Sequence, residues 1–149
     1  MSKLSGIRVV DLSLFLPGPM MTSMLADHGA EIIKIEPPGG DPARQMEPFE
    51  EGQSVWFRNI NRGKQSVVLD LKQKDNLQKL YRLVEESDIF VEAFRPGVAN
   101  RLEIDYETLS AINPRIIYCS ISAFGQDGPL AHHPAHDLAV EAFAGFMSV

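Results

Sequence analysis

Ile7-Arg8-Val9-Val10-Asp11-Leu12, then Pro17-Gly18-Pro19, then Glu31-Ile32-Ile33-Lys34-Ile35: the reading of this opening run decides the fold. The first and last blocks are short, apolar and rich in β-branched residues, which suits strands. Between them Pro17 can open a helix, because a first turn has no use for the N–H that proline lacks. Met20, Met21, Met24 and Leu25 give that helix an apolar stripe, and Gly29 is placed to end it. Strand, helix and strand in succession imply parallel pairing through a right-handed crossover.

The alternation continues downstream. Pro37-Pro38-Gly39-Gly40 closes the second strand, and residues from about Asp41 to Lys64, with Trp56 among them, are irregular in pattern. A loop of that length inside a compact domain is functional or partly helical. Ser66 to Leu71 reads as a third strand, Gln73 to Glu86 as a helix built on Leu77, Leu80 and Val84, and Ile89 to Phe94 as a fourth strand. Asp105 can cap a helix carrying Tyr106, Leu109 and Ile112, which Asn113-Pro114 ends. Arg115 to Ile121 makes a fifth strand. Near-continuous apolar strands fit a sheet buried on both faces. From His136 to Val149 the pattern is a very apolar helix that needs a partner surface, either its own sheet or chain beyond Val149.

The chain has 149 residues, 44% of them hydrophobic and 23% charged, with a net charge of −6. That is enough for one core and is ordinary globular composition. The acidic balance disfavours nucleic acid. No apolar run approaches the roughly 20 residues of a membrane span, and Met1 to Gly6 lacks the apolar core of a secretory signal. A cytoplasmic protein is therefore expected. The lone Cys119 excludes an internal disulfide and, in its apolar run, reads as a core residue. The cations are grouped, Arg58 with Arg62 and Lys64, and Arg95 with Arg101. Such local clusters on an acidic protein suit a small polyanion.

Ligands of doubly wound sheets bind outside the carboxyl ends of the strands. The segments expected there are Phe15 to Pro19, Pro37 to Arg44, Phe94 to Arg101, Ala123 to Pro129 and His132 to Asp137. The turn after strand one is not Gly-x-Gly-x-x-Gly, its prolines remove amide donors, and no Walker lysine motif occurs. His132, His133 and His136 lie close in sequence but around Pro134 in a loop, so no metal site is expected. Asp137 falls at a helix start, where the macrodipole favours a carboxylate. There it can serve as a nucleophile on a carbonyl or cap the helix, and sequence physics alone favours the cap.

Taken together, several segments resemble the family III CoA-transferases of the CaiB/BaiF type, a superfamily that includes formyl-CoA transferase-like enzymes and α-methylacyl-CoA racemases. They are Leu4 to Asp11, Pro17-Gly18-Pro19 running to Glu31, Ile33 to Asp41, Asn61-Arg62-Gly63-Lys64, Phe94-Arg95-Pro96-Gly97-Val98, Phe124-Gly125-Gln126-Asp127-Gly128-Pro129 and His136-Asp137, in family order. The resemblance implies an α/β fold: a Rossmann-like, mostly parallel sheet with helices on both faces. It makes residues 1–149 the amino-terminal part of the large domain, without the small domain and the carboxyl-terminal return segment, and inactive in isolation. It implies an interlocked homodimer at full length, no permanently bound cofactor, and acyl-CoA and carboxylic acids as substrates.

It further implies that Asp137 is the nucleophile, taking the acyl group and then carrying CoA as an aspartyl thioester. Phe15 and Leu16 would lie on a loop beside it. Arg44, Lys64, Ala93, Phe94 and Arg101 would line the coenzyme's adenine and phosphates, for which Arg and Lys supply charge-assisted bonds. The chain reads Ala135-His136-Asp137 where racemases of the family have Gly-His-Asp, the histidine acting as a base at the substrate α-carbon. Glu141 instead resembles the glutamine common in transferases. CoA transfer is the reading that follows. Racemisation through His136 is the alternative, and an inactive CoA-binding fragment is the third.

Overall fold

The computed structural model describes residues 2–147. Strand β1 (Arg8–Asp11) leads into helix α1 (Pro17–Asp27) and strand β2 (Glu31–Glu36). His28 is the C-cap of α1, followed by Gly29 at φ 95°. A 3-10 turn (Pro42–Gln45), a small hairpin of β3 (Phe49–Glu50) and β4 (Gln53–Ser54), and helix α2 (Val55–Ile60) fill the irregular stretch. Then come β5 (Lys64–Val68), α3 (Lys74–Glu85), β6 (Ile89–Glu92), α4 (Val98–Arg101), α5 (Tyr106–Ile112), β7 (Ile117–Ser120) and α6 (Asp137–Phe143).

Five strands form one parallel sheet in the order β5-β2-β1-β6-β7. In chain order that is 3-2-1-4-5, the doubly wound arrangement. Alternate residues face opposite sides. Val10, registered with Ile33 and Phe90, points into a core with Leu77, Leu80 and Val84 of α3 and Leu109 of α5. Val9, registered with Ile32, points to the other side, where Met21 and Leu25 of α1 cover it and half-buried Cys119 packs nearby. Helices thus cover both faces, as expected. No described helix is long and apolar enough to cross a membrane.

Four differences from the expected elements have physical reasons. The third strand starts at Lys64 and ends at Val68, rather than running from Ser66 to Leu71. It is a sheet edge whose residues from Gln65 to Val68 are exposed, so polar residues pair there without penalty. The fourth strand stops at Glu92, where the Phe94 amide turns back to the Glu92 carboxylate at 2.6 Å. Short α4, which carries Arg101, is too brief to show periodicity. The final helix ends at Phe143, just before Gly145 at φ 73°, and leaves Leu138 and Phe143 exposed. Residues 148–149 of the expected helix lie outside the described residues.

Candidate functional site at the carboxyl rim of the sheet

The chain leaves β1 toward α1 on one face and leaves β6 toward α4 and α5 on the other. Their carboxyl ends therefore flank a crevice, the switch point where doubly wound folds bind ligands. Phe15 and Leu16 lie on the β1 side of this crevice, and half-buried Ala93 and Phe94 on the β6 side. Phe15 is half exposed and sits at φ 61°, a left-handed conformation unusual for a residue with a side chain.

On the α3 face of the rim is a cavity of about 170 Å³. Its walls are mainly apolar: Leu12, Leu14, Ile35, Pro37, Pro38, Leu69, Leu71, Phe94 and Leu102, with Glu36, Asp70 and Lys72 among the lining residues. Sequence reasoning placed Pro37, Pro38 and Phe94 at the rim but missed Leu69 to Lys72. The cause is the misplaced strand: with β5 running to Leu71 those residues are sheet, and with β5 ending at Val68 they are the rim loop after it. Arg101 precedes the cavity residue Leu102 on α4. Its Nη1 lies 3.4 Å from where a Cβ on Gly97 would be, and among the described residues it has no ion pair.

The α1 face of the rim holds a buried charge network. Asp11, Lys34, Glu36 and Asp41 are each at most 1% exposed. Lys34 Nζ lies 3.0 Å from Asp41 Oδ2 and donates to the Ser13 carbonyl at 2.7 Å. Glu36 accepts from Arg44 Nε at 2.8 Å and Nη2 at 2.6 Å, from the Asp41 amide at 2.8 Å, and from the Ser66 hydroxyl. Burial alone would raise the Glu36 pKa, but the Arg44, Ser66 and Asp41 donors overcome it and hold it at about 2. Arg44 also stacks on Phe57, 3.8 Å from the ring centroid.

Two expected ligand residues thus have protein partners. Arg44 gives one edge of its guanidinium to Glu36. Lys64 is buried, and its ammonium donates to Asp11 Oδ2 at 3.1 Å, Pro19 O at 2.8 Å and Asn61 Oδ1 at 2.9 Å. All three of its protons are accounted for, so in this arrangement none is left for a phosphate. Burial, opposed by Asp11, lowers its pKa to about 8. The grouping of Arg58, Arg62 and Lys64 in sequence dissolves in space into separate pairs with Glu50, Asp27 and Asp11.

His136 is the N-cap of α6 without a side-chain cap bond, and Asp137 is the first helical residue, so Asp137 is not the cap that sequence physics favoured. Both are exposed, and among the described residues neither side chain bonds to the buried network. An edge-on contact at 5.3 Å between Phe143 and Phe124 joins α6 to the loop after β7.

The family model of CoA-transferase family III matches residues 4–149. An acetyl-CoA:oxalate CoA-transferase of Acetobacter aceti is 50% identical over 143 residues, covering 95% of this chain and 37% of that protein. A succinyl-CoA:glutarate CoA-transferase of Mus musculus is 38% identical over 151 residues, covering all of this chain and 35% of that protein. The crystal structure of a CaiB/BaiF family protein from Brucella suis superposes with a TM-score of 0.93 at 38% identity, covering 98% of this chain and 40% of that one. The chain spans about two fifths of the length of these relatives. With the family model matched from Leu4 onward and the doubly wound sheet shared with such a relative, the chain belongs to CoA-transferase family III.

Proposed function

We propose that this chain is the amino-terminal part of the large domain of an enzyme that transfers CoA between carboxylic acids. The observation that carries the reading is the apolar cavity at the switch point, with Phe94 in its wall and, next to its lining residue Leu102, Arg101, which has no ion pair among the described residues. A flat aromatic base can lie against apolar walls, and a guanidinium can bind phosphate. Arg44 contributes its remaining edge, and Lys64 acts from beneath by holding Asp11 and the Pro19 carbonyl.

In this reading the Asp137 carboxylate attacks the donor thioester carbonyl and expels CoA thiolate, leaving a mixed anhydride. The thiolate then attacks the aspartyl carbonyl, releasing the donor acid and forming an aspartyl thioester. The acceptor acid reverses both steps and leaves as its own thioester. The first turn of α6 stabilises the free carboxylate before the first attack and after the last step. The exposed Leu138, Phe143 and Phe146 are apolar surface that a second subunit of an interlocked homodimer would cover.

The test uses full-length protein with acetyl-CoA and oxalate, and with succinyl-CoA and glutarate, the pairs named for the relatives. Wild type is expected to pass CoA to the acid. Asp137→Asn is expected to abolish transfer, and His136→Phe to leave much of it. Wild type that exchanges the α-proton of a 2-methylacyl-CoA with deuterated water, yet passes CoA to no acid, would establish racemisation instead.

A further inference from the structure

Asp11 lies at the carboxyl end of the central strand and is fully buried, yet it faces four donors. The Ser13 amide bonds its Oδ1 at 2.9 Å, together with the Ser13 hydroxyl. Thr22 Oγ1 bonds its Oδ2 at 2.6 Å, and Lys64 Nζ at 3.1 Å. Ser13 opens the loop after β1, and Thr22 lies in the second turn of α1, the helix that follows that loop. Lys64 ties the same carboxylate to the Pro19 carbonyl in the first turn of α1. One carboxylate and one ammonium therefore grip both ends of the segment from Ser13 to Pro19, and the Lys34 ammonium adds a bond to the Ser13 carbonyl at 2.7 Å.

The middle of the segment has little else to hold it. Among the described residues, no backbone N–H of Leu14, Phe15 or Leu16 bonds within the chain. Phe15 nevertheless keeps a left-handed backbone, a conformation that persists only where the surroundings over-determine it. This middle is the part that meets the site: Leu14 lines the cavity and Phe15 projects from the rim.

We infer that Asp11 and Lys64 are positioning residues, whose buried pair sets the shape of the Leu14–Leu16 loop and through it the site at the switch point. Neither residue touches substrate. The inference rests on the proposed CoA transfer at this rim. The competing account is an ion pair that only supports the fold, and such a pair would loosen the whole protein rather than one loop.

The experiment is amide hydrogen exchange and steady-state kinetics on full-length protein, comparing wild type with Asp11→Asn, Lys64→Met and the milder Thr22→Val. Thr22→Val removes one bond to Asp11 without stranding a charge. Expected is at least tenfold faster exchange of the two bonded amides of segment 13–20, Ser13 and Met20, with β6 and α3 unchanged. Turnover should fall about tenfold for Asp11→Asn and Lys64→Met while KM for acyl-CoA stays within threefold, because Ile35, Leu69, Leu71 and Phe94 still wall the cavity. Should a charge variant loosen every peptide, Thr22→Val decides alone by whether exchange rises only in 13–20. Wild-type exchange in 13–20 for every folded variant, or faster exchange with undiminished turnover, would overturn the inference. Wild type without any CoA transfer would sink the proposed function instead, and the exchange readout would still decide whether the pair holds the loop.

Discussion

Burial at Glu36 would by itself favour the neutral acid, yet Arg44, Ser66 and the Asp41 amide hold its pKa at about 2, below its ordinary 4.5. The sign of the linkage follows. Its stabilising contribution is complete above pH 4.5 and is lost as pH falls toward 2, where the folded state must also take up the proton. Glu36→Gln should therefore remove about 2–3 kcal/mol at pH 7 and flatten stability between pH 4.5 and 2. Denaturant unfolding at pH 7, 4 and 3 checks this, and parallel curves for wild type and variant would refute it. Sequence could not show this commitment. Arg44 was legible as a cation near the rim, but Glu36, one residue past the expected end of the second strand, shows no sign of a partner until the fold brings the two together. Lys64 escaped for the same reason, since its partner Asp11 lies on a strand distant in sequence.

Helix α1 shows what an element needs beyond its pattern. Gly18 is in its first turn, where alanine would ordinarily be the better helix former by roughly 1 kcal/mol. A Cβ on Gly18 would, however, lie 2.2 Å from Ser13 Cβ. That contact belongs to the same loop that Asp11 grips, so Ser13 cannot yield without losing its bonds to the carboxylate. Gly18→Ala should destabilise by about 1–3 kcal/mol through overpacking, reversing the sign that propensity gives. Thermal or denaturant unfolding reads the difference, and a neutral or stabilised variant would show that Ser13 can move. Elements whose signals are local were legible in this way. Pro17, Gly29, the stripe of Leu77, Leu80 and Val84, and the Asp105 cap, which accepts from the Thr108 amide at 3.1 Å, all act within a few residues. Strand β5 was misplaced because its limits depend on pairing: the Leu69 amide still bonds the Glu36 carbonyl, and Asp70 then turns the chain.

At the scale of the molecule, the alternating pattern was enough to specify a parallel sheet, and the sheet order then located the site. What the pattern could not provide is the division of the rim into two faces. Asp11, Lys34 and Glu36 alternate with Val10, Ile33 and Ile35, so charges collect on the α1 side and apolar walls on the α3 side. That division determines where a ligand with an aromatic base and phosphates should bind. In full-length protein, CoA should slow amide exchange in peptides containing Leu14, residues 69–72 and 93–102, all at the carboxyl rim. Peptides at the opposite end of the sheet, such as those around Gly6 and Glu86, should be unaffected. Arg101→Ala should weaken CoA by about 1.5–3 kcal/mol, the worth of a bond to a charged group, and calorimetry at rising salt should show the deficit shrinking as screening grows. Loss of affinity without loss of protection at Leu69 to Lys72 would place the base in the cavity and the phosphates at Arg101. Protection confined to the opposite end of the sheet, with Arg101→Ala binding as wild type does, would remove the cavity from the site.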